Sequence, residues 1–216
     1  MQNQRSATAQ IFLLIMTIAG WFALSAQLYL IILNRVTSVP EAIIRYFGFF
    51  TILTNILVTT CCSVLLLKRK SKLNDFFSSA KTLTAIALYI TVVGLVYNLI
   101  LRFLWKPEGL QLLVDELLHT VIPVSFIFFW LFFVPKAKLQ WKDIFPWLLY
   151  PFGYIIFVLI RGAFAGYYPY PFIDVTKLGY NKVLLNSGML VVVFVIFSLL
   201  YVGTDRYLKK QTADFY

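Results

Sequence analysis

His119 is the only histidine in a chain of 216 residues, and it lies in an apolar run long enough to cross a bilayer. An ionisable side chain inside a membrane span is costly to keep there, which makes it a functional candidate by default. Asp115 stands four residues earlier on the same helix face, where a carboxylate can orient an imidazole and stabilise its protonated form. A second polar stripe begins at Thr51, with Asn55 four residues on. A hydroxyl beside a histidine base is the minimum equipment for nucleophilic acyl transfer, and the Asn55 amide is a candidate donor to an oxyanion. Plainer roles compete. Asp115 and Glu116 fall where a helix is expected to start, and acidic groups favour the positive end of the helix dipole. Threonines within a membrane span, including Thr51, Thr54, Thr59 and Thr60, commonly bond their own backbone or a neighbouring helix.

Other chemistries fail on residue count. One histidine excludes a three-histidine or His-x-x-x-His zinc site, and no Cys-x-x-Cys is present. The chain has no Gly-x-Ser-x-Gly elbow, P-loop or Gly-x-Gly-x-x-Gly turn. No metal and no cofactor is implied. Cys61 and Cys62 are adjacent, so they point in different directions on a helix and read as small apolar fillers.

The elements that must position these residues are transmembrane. Hydrophobic residues make up 61% of the chain, charged residues 13%, and mean hydropathy is +0.82, values that belong to a lipid-embedded protein. Six spans are predicted, at about 10–33, 47–67, 82–104, 114–134, 144–160 and 183–202, each near the 17 to 25 residues that a bilayer requires. Continuous apolar runs such as Val191 to Ile196 predict helices and not barrel strands. The expected fold is therefore all-α: a six-helix transmembrane bundle forming one domain over residues 1–216. Pro146 and Pro151 are expected to kink or delay the fifth helix.

Twelve of the nineteen Lys and Arg residues fall on one side of this topology, in the groups Arg5, Lys68 to Lys81, Lys136 to Lys142 and Arg206 to Lys210. Seven fall on the other. Positive loops stay inside, so both termini are expected in the cytoplasm. The net charge of +10 then answers to anionic lipid and not to nucleic acid. Counting from the outer ends of the spans, Thr51 lies roughly 6 Å and His119 roughly 7 to 8 Å deep at 1.5 Å per residue, a shared level.

The segments Phe49-Phe50-Thr51-Ile52-Leu53-Thr54-Asn55 and Leu118-His119-Thr120-Val121-Ile122-Pro123, with Gly153-Tyr154-Ile155 and Gly166 to Phe172, carry a further reading. In their order and span count they resemble the androgen-induced, FAR-type (ADTRP-like) family of multispan membrane proteins, which has many small bacterial members. The resemblance covers nearly the whole chain. It implies a threonine hydrolase of fatty acid esters of hydroxy fatty acids, with Thr51 as nucleophile and His119 as base. Animal members have an aspartate where this chain has Thr54.

A membrane lipid or lipid ester is the partner this reading implies, and oligomeric state is left open. Arg161, which leads into the Gly162 to Phe172 segment, is a supporting candidate because guanidinium pairs well with a substrate carboxylate. Arg102 is a second, with snorkelling to the interface as its plainer role. The Gly- and Tyr/Pro-rich segment itself is a candidate outer lid. Two other classes fit the same residues: a transporter whose path is lined by Asn98, His119, Asn186 and Ser187, and a lipid-binding membrane protein without turnover.

Overall fold

A computed structural model describes residues 7–67 and 69–213, with side chains to residue 208, and every regular element among them is helical. Arg5 and Lys68 lie outside the described residues, as do the side chains of Lys209 and Lys210. Among the described residues six helical stretches are long and apolar enough to cross a membrane, so the all-α, multi-pass architecture follows directly from the apolar runs. The chain gathers into two compact units, Met1–Pro135 and Lys136–Tyr216.

In the first unit, α1 (Ala7–Leu33), α3 (Phe50–Leu67), α5 (Ala80–Leu99) and the stretch from α6 (Gly109–Glu116) into α7 (Ile122–Phe133) supply four spans. Burial is greatest along α3 and α5. They therefore form the interior of the unit, and α3 places Thr51, Asn55, Val58, Thr59 and Cys62 on its buried face at helical spacing. Close contact between α1 and α3 depends on Gly20, because a Cβ there would collide with the Thr59 side chain. Small residues that let helix backbones approach are the usual basis of packing in lipid, where apolar burial gives no driving force between helices.

Two short helices flank the spans. Phe47, expected at the start of the second span, instead ends α2 (Val39–Phe47), which is capped by Ser38 and carries Pro40 in its first turn, before α3 begins at Phe50. Tyr46 fastens α2 by donating its hydroxyl to the Leu24 carbonyl at 2.9 Å, and burial pushes its phenol up to about 12. On the opposite side of the spans, α4 (Lys72–Ser78) buries Phe77 and starts at the Ser71 cap.

The second unit holds α8 (Ile144–Ala165) and α9 (Val175–Ala213). Pro151 lies inside α8, which continues through it for another fourteen residues to Ala165. Gly179, at φ 73° and ψ 161°, breaks the first turn of α9 from the long helix that follows, a conformation only glycine adopts without strain. The loop before α8 is held by Asp205 of α9, whose carboxylate accepts the Lys138 and Leu139 N–H groups, each at 3.1 Å.

Lys136 opens that loop half-buried, and desolvation pushes its ammonium down to about 8 against an opposing pull from Asp205. Unfolded, the amine keeps its proton up to its ordinary 10.5, so from pH 8 to pH 10.5 the unfolded chain holds more protons and stability rises with pH. Below pH 8 both states are charged and the burial penalty is complete. Thermal melting of the purified protein is therefore expected to climb across this window, and Lys136→Met to remove the climb while raising the melting temperature at neutral pH.

Candidate active site

Thr51 sits in the first turn of α3, delivered by the two-residue link Gly48-Phe49 from the end of α2. It is 7% exposed, and Thr54 and Asn55 behind it are fully buried. His119 sits where the α6–α7 span departs from α-helical register: residues Leu117–Val121 form a π-helical turn. Such turns are uncommon and recur at functional sites.

The local sequence explains both the π turn and what compensates it. The Ile122 N–H reaches back five residues to the Leu117 carbonyl, so the Leu118 carbonyl loses the partner an α-helix would give it. Pro123 has no N–H for the His119 carbonyl four residues before it. Two consecutive carbonyls are thus released, and each leaves a cost unless a donor is found. Asn55 of α3 donates to Leu118 O at 3.1 Å, and Asn98 of α5 donates to His119 O at 3.2 Å. Gly94, one turn before Asn98, permits the approach: a Cβ there would stand 3.1 Å from the Pro123 Cβ and 3.3 Å from His119 O.

Asn55 also donates to Thr51 O at 2.9 Å. One amide nitrogen therefore joins the turn bearing Thr51 to the turn bearing His119. Both hydrogens of Asn55 Nδ2 go to main-chain carbonyls, so the side chain serves to tie helices, and an oxyanion would have to displace one of those bonds. Its Oδ1 is buried without a hydrogen-bond partner among the described residues.

Asp115 lies two residues before the π turn and one turn before His119, 3% exposed. The helix starts at Gly109 and has no acidic residue in its first turn, so the dipole role expected from sequence is not the one Asp115 has. It faces His119 instead: His119 Nδ1 is 2.9 Å from the Asp115 carbonyl and 3.3 Å from its Oδ1. Two acceptors at Nδ1 assign the ring hydrogen to that nitrogen and leave Nε2 with its lone pair. Tyr97 of α5, which nothing in the sequence reading singled out, donates its hydroxyl to Asp115 Oδ2 and stacks on the imidazole, centroids 4.0 Å apart at 14°.

Arg102 lies in the 3₁₀ turn after α5. It pairs with Glu116 at 2.6 Å, bonds Asn98 Oδ1 at 3.0 Å and Thr120 Oγ1 at 3.0 Å, and lies over the Tyr97 ring. Arg161 belongs to the second unit, its guanidinium over the Tyr167 ring at 5.7 Å. Beside it Gly162 makes room for Tyr168, which a Cβ would strike, and the segment is further pinned by Asn186 donating to Phe172 O at 2.7 Å. Asp174 ends the segment, its carboxyl held below the ordinary range by the Thr176 hydroxyl and N–H and by Lys177.

Thr51 and His119 stand at different distances from the starts of their helices. Thr51 is one residue into α3 and His119 ten residues into the helix that starts at Gly109. What associates their turns is the Asn55 side chain, with α3 packed against the π turn. Compared with protein family models, curated proteins and solved structures, the chain matches none.

Proposed function

We propose that this chain is an intramembrane lipid ester hydrolase with Thr51 as nucleophile and His119 as general base. The observation that carries the reading is His119 with Nδ1 engaged by Asp115 and Nε2 left basic, on a π turn that Asn55 ties to the turn of Thr51. Thr51 also lies at the positive end of α3, which favours a developing alkoxide. His119 Nε2 takes the Thr51 proton as Oγ1 attacks the ester carbonyl carbon. The imidazolium then returns that proton to the departing alcohol oxygen, and the acyl group remains on Thr51. Water, deprotonated by the same nitrogen, attacks the acyl carbon, and the acid leaves as the threonine hydroxyl is restored.

The resemblance to the FAR-type family supports fatty acid esters of hydroxy fatty acids as the substrate class, reached from within the bilayer. The transport reading draws less support, since Asn98 and Asn186 donate to main-chain carbonyls and Ser187 bonds its own helix at Val183 O. Labelling by a lipid-like fluorophosphonate, lost in Thr51→Ala, is the expected result. Substrate flux into proteoliposomes with no labelling would put transport ahead. Both termini are assigned to the cytoplasm on the charge bias, and a reporter fused after Tyr216 is expected to read as internal.

A further inference from the structure

We propose that Tyr97 is the positioning residue that holds His119 in its base-competent tautomer, a role that rests on the hydrolase reading for its use but not for its geometry. Tyr97 makes two contacts that act on one ring. Its face lies against the imidazole, 4.0 Å between centroids, which restricts rotation of the ring out of its plane. Its hydroxyl donates to Asp115 Oδ2, which fixes the carboxylate so that the other oxygen, Oδ1, meets His119 Nδ1. The Asp115 main-chain carbonyl gives Nδ1 a second acceptor on the same side.

A neutral imidazole flanked this way carries its hydrogen on Nδ1. Remove the Tyr97 hydroxyl and, among the described residues, no other donor holds Oδ2 of the buried Asp115 carboxylate, so it is free to turn away from Nδ1 or to present its oxygens differently. The ring then loses one of the two acceptors at Nδ1 and keeps only the Asp115 main-chain carbonyl, so the other tautomer, in which Nε2 bears the hydrogen and cannot act as a base, gains population. The charged groups around the pair do not supply a substitute. Arg102 and Glu116 pair with each other, and α1, α3 and α7 carry no charged residue. Aromatic residues in membrane spans are ordinarily filler or interface anchors; here the phenol hydroxyl is spent on the carboxylate that the only histidine needs.

His119 being the sole histidine, isotope-labelled histidine reports one imidazole, and its nitrogen shifts give the tautomer with no assay of activity. The wild-type protein in detergent is expected to show Nδ1 protonated and Nε2 bare. Tyr97→Phe keeps the stack, removes the hydroxyl, and is expected to bring up the Nε2-protonated form. On a long-chain p-nitrophenyl ester it is expected to lower kcat by about tenfold to a hundredfold with KM nearly unchanged, as for a displaced catalytic group. Tyr97→Leu, which loses ring and hydroxyl together, gives the same readout should Tyr97→Phe not fold. An Nε2-protonated wild type, or variants whose tautomer and kcat match wild type, overturns the positioning role even if Thr51→Ala is inactive. A tautomer that responds to Tyr97→Phe in a protein that cleaves no ester overturns the hydrolase reading and leaves Tyr97's hold on His119 standing.

Discussion

Thr51→Ala and His119→Ala are each expected to abolish hydrolysis of long-chain esters by purified protein while leaving its thermal melting close to that of the wild type. Loss of a general base costs about 10²- to 10⁴-fold and loss of a nucleophile at least as much. The two losses are expected not to multiply in the double variant, because base and nucleophile act as one unit. Asp115→Asn is expected to fall between these and wild type, since it keeps the carbonyl acceptor at His119 Nδ1 but loses the carboxylate charge. A Thr51→Ala protein of normal stability with wild-type turnover would end the threonine mechanism.

The membrane architecture was legible because lipid imposes a coarse rule: backbone groups must be satisfied within the helix and side chains must be apolar for about twenty residues. Helix starts were less legible, for opposite reasons at the two candidate residues. Phe47 is apolar enough to read as part of a span, but it ends α2, whose Ser38 cap, Pro40 and Glu41–Arg45 pair mark a separate interfacial helix. Gly109 to Leu113 looked like loop beside Glu108, yet form the first turns of the helix that carries Asp115 and His119. That shift takes Asp115 away from a helix start and puts it against the imidazole.

His119 and Asp115 could be paired by their spacing, because one helix carries both. Tyr97 and Asn98 could not be found that way, since their value lies in contacts between helices about twenty positions apart in the chain. The π turn did leave a trace in the sequence. A proline four residues after an intramembrane histidine removes the donor for that histidine's carbonyl, and an asparagine on a neighbouring helix is the economical replacement. Asn55 was read as a candidate oxyanion donor; its position makes it a structural tie between the two turns that matter.

That tie gives the second large effect expected. Asn55→Leu is close in volume but leaves Thr51 O and Leu118 O without their side-chain donor in a fully buried setting. An unsatisfied buried acceptor costs about 1 to 3 kcal/mol; Thr51 O belongs to a regular helix, so most of the loss is expected from Leu118 O, whose α-helical partner the π turn has already taken. Asn55→Asp discriminates more sharply. It is nearly isosteric, but it sets carboxylate oxygens where Nδ2 now meets two carbonyls, so it replaces two attractions with repulsion and buries a charge that α3 has no cation to answer. Asn55→Asp is therefore expected to be less stable than Asn55→Leu, and both to lose hydrolysis as the turns of Thr51 and His119 separate. Were Asn55 acting chiefly through its oxygen, the aspartate would be the milder change, and melting curves of the two variants in one detergent decide between the orders.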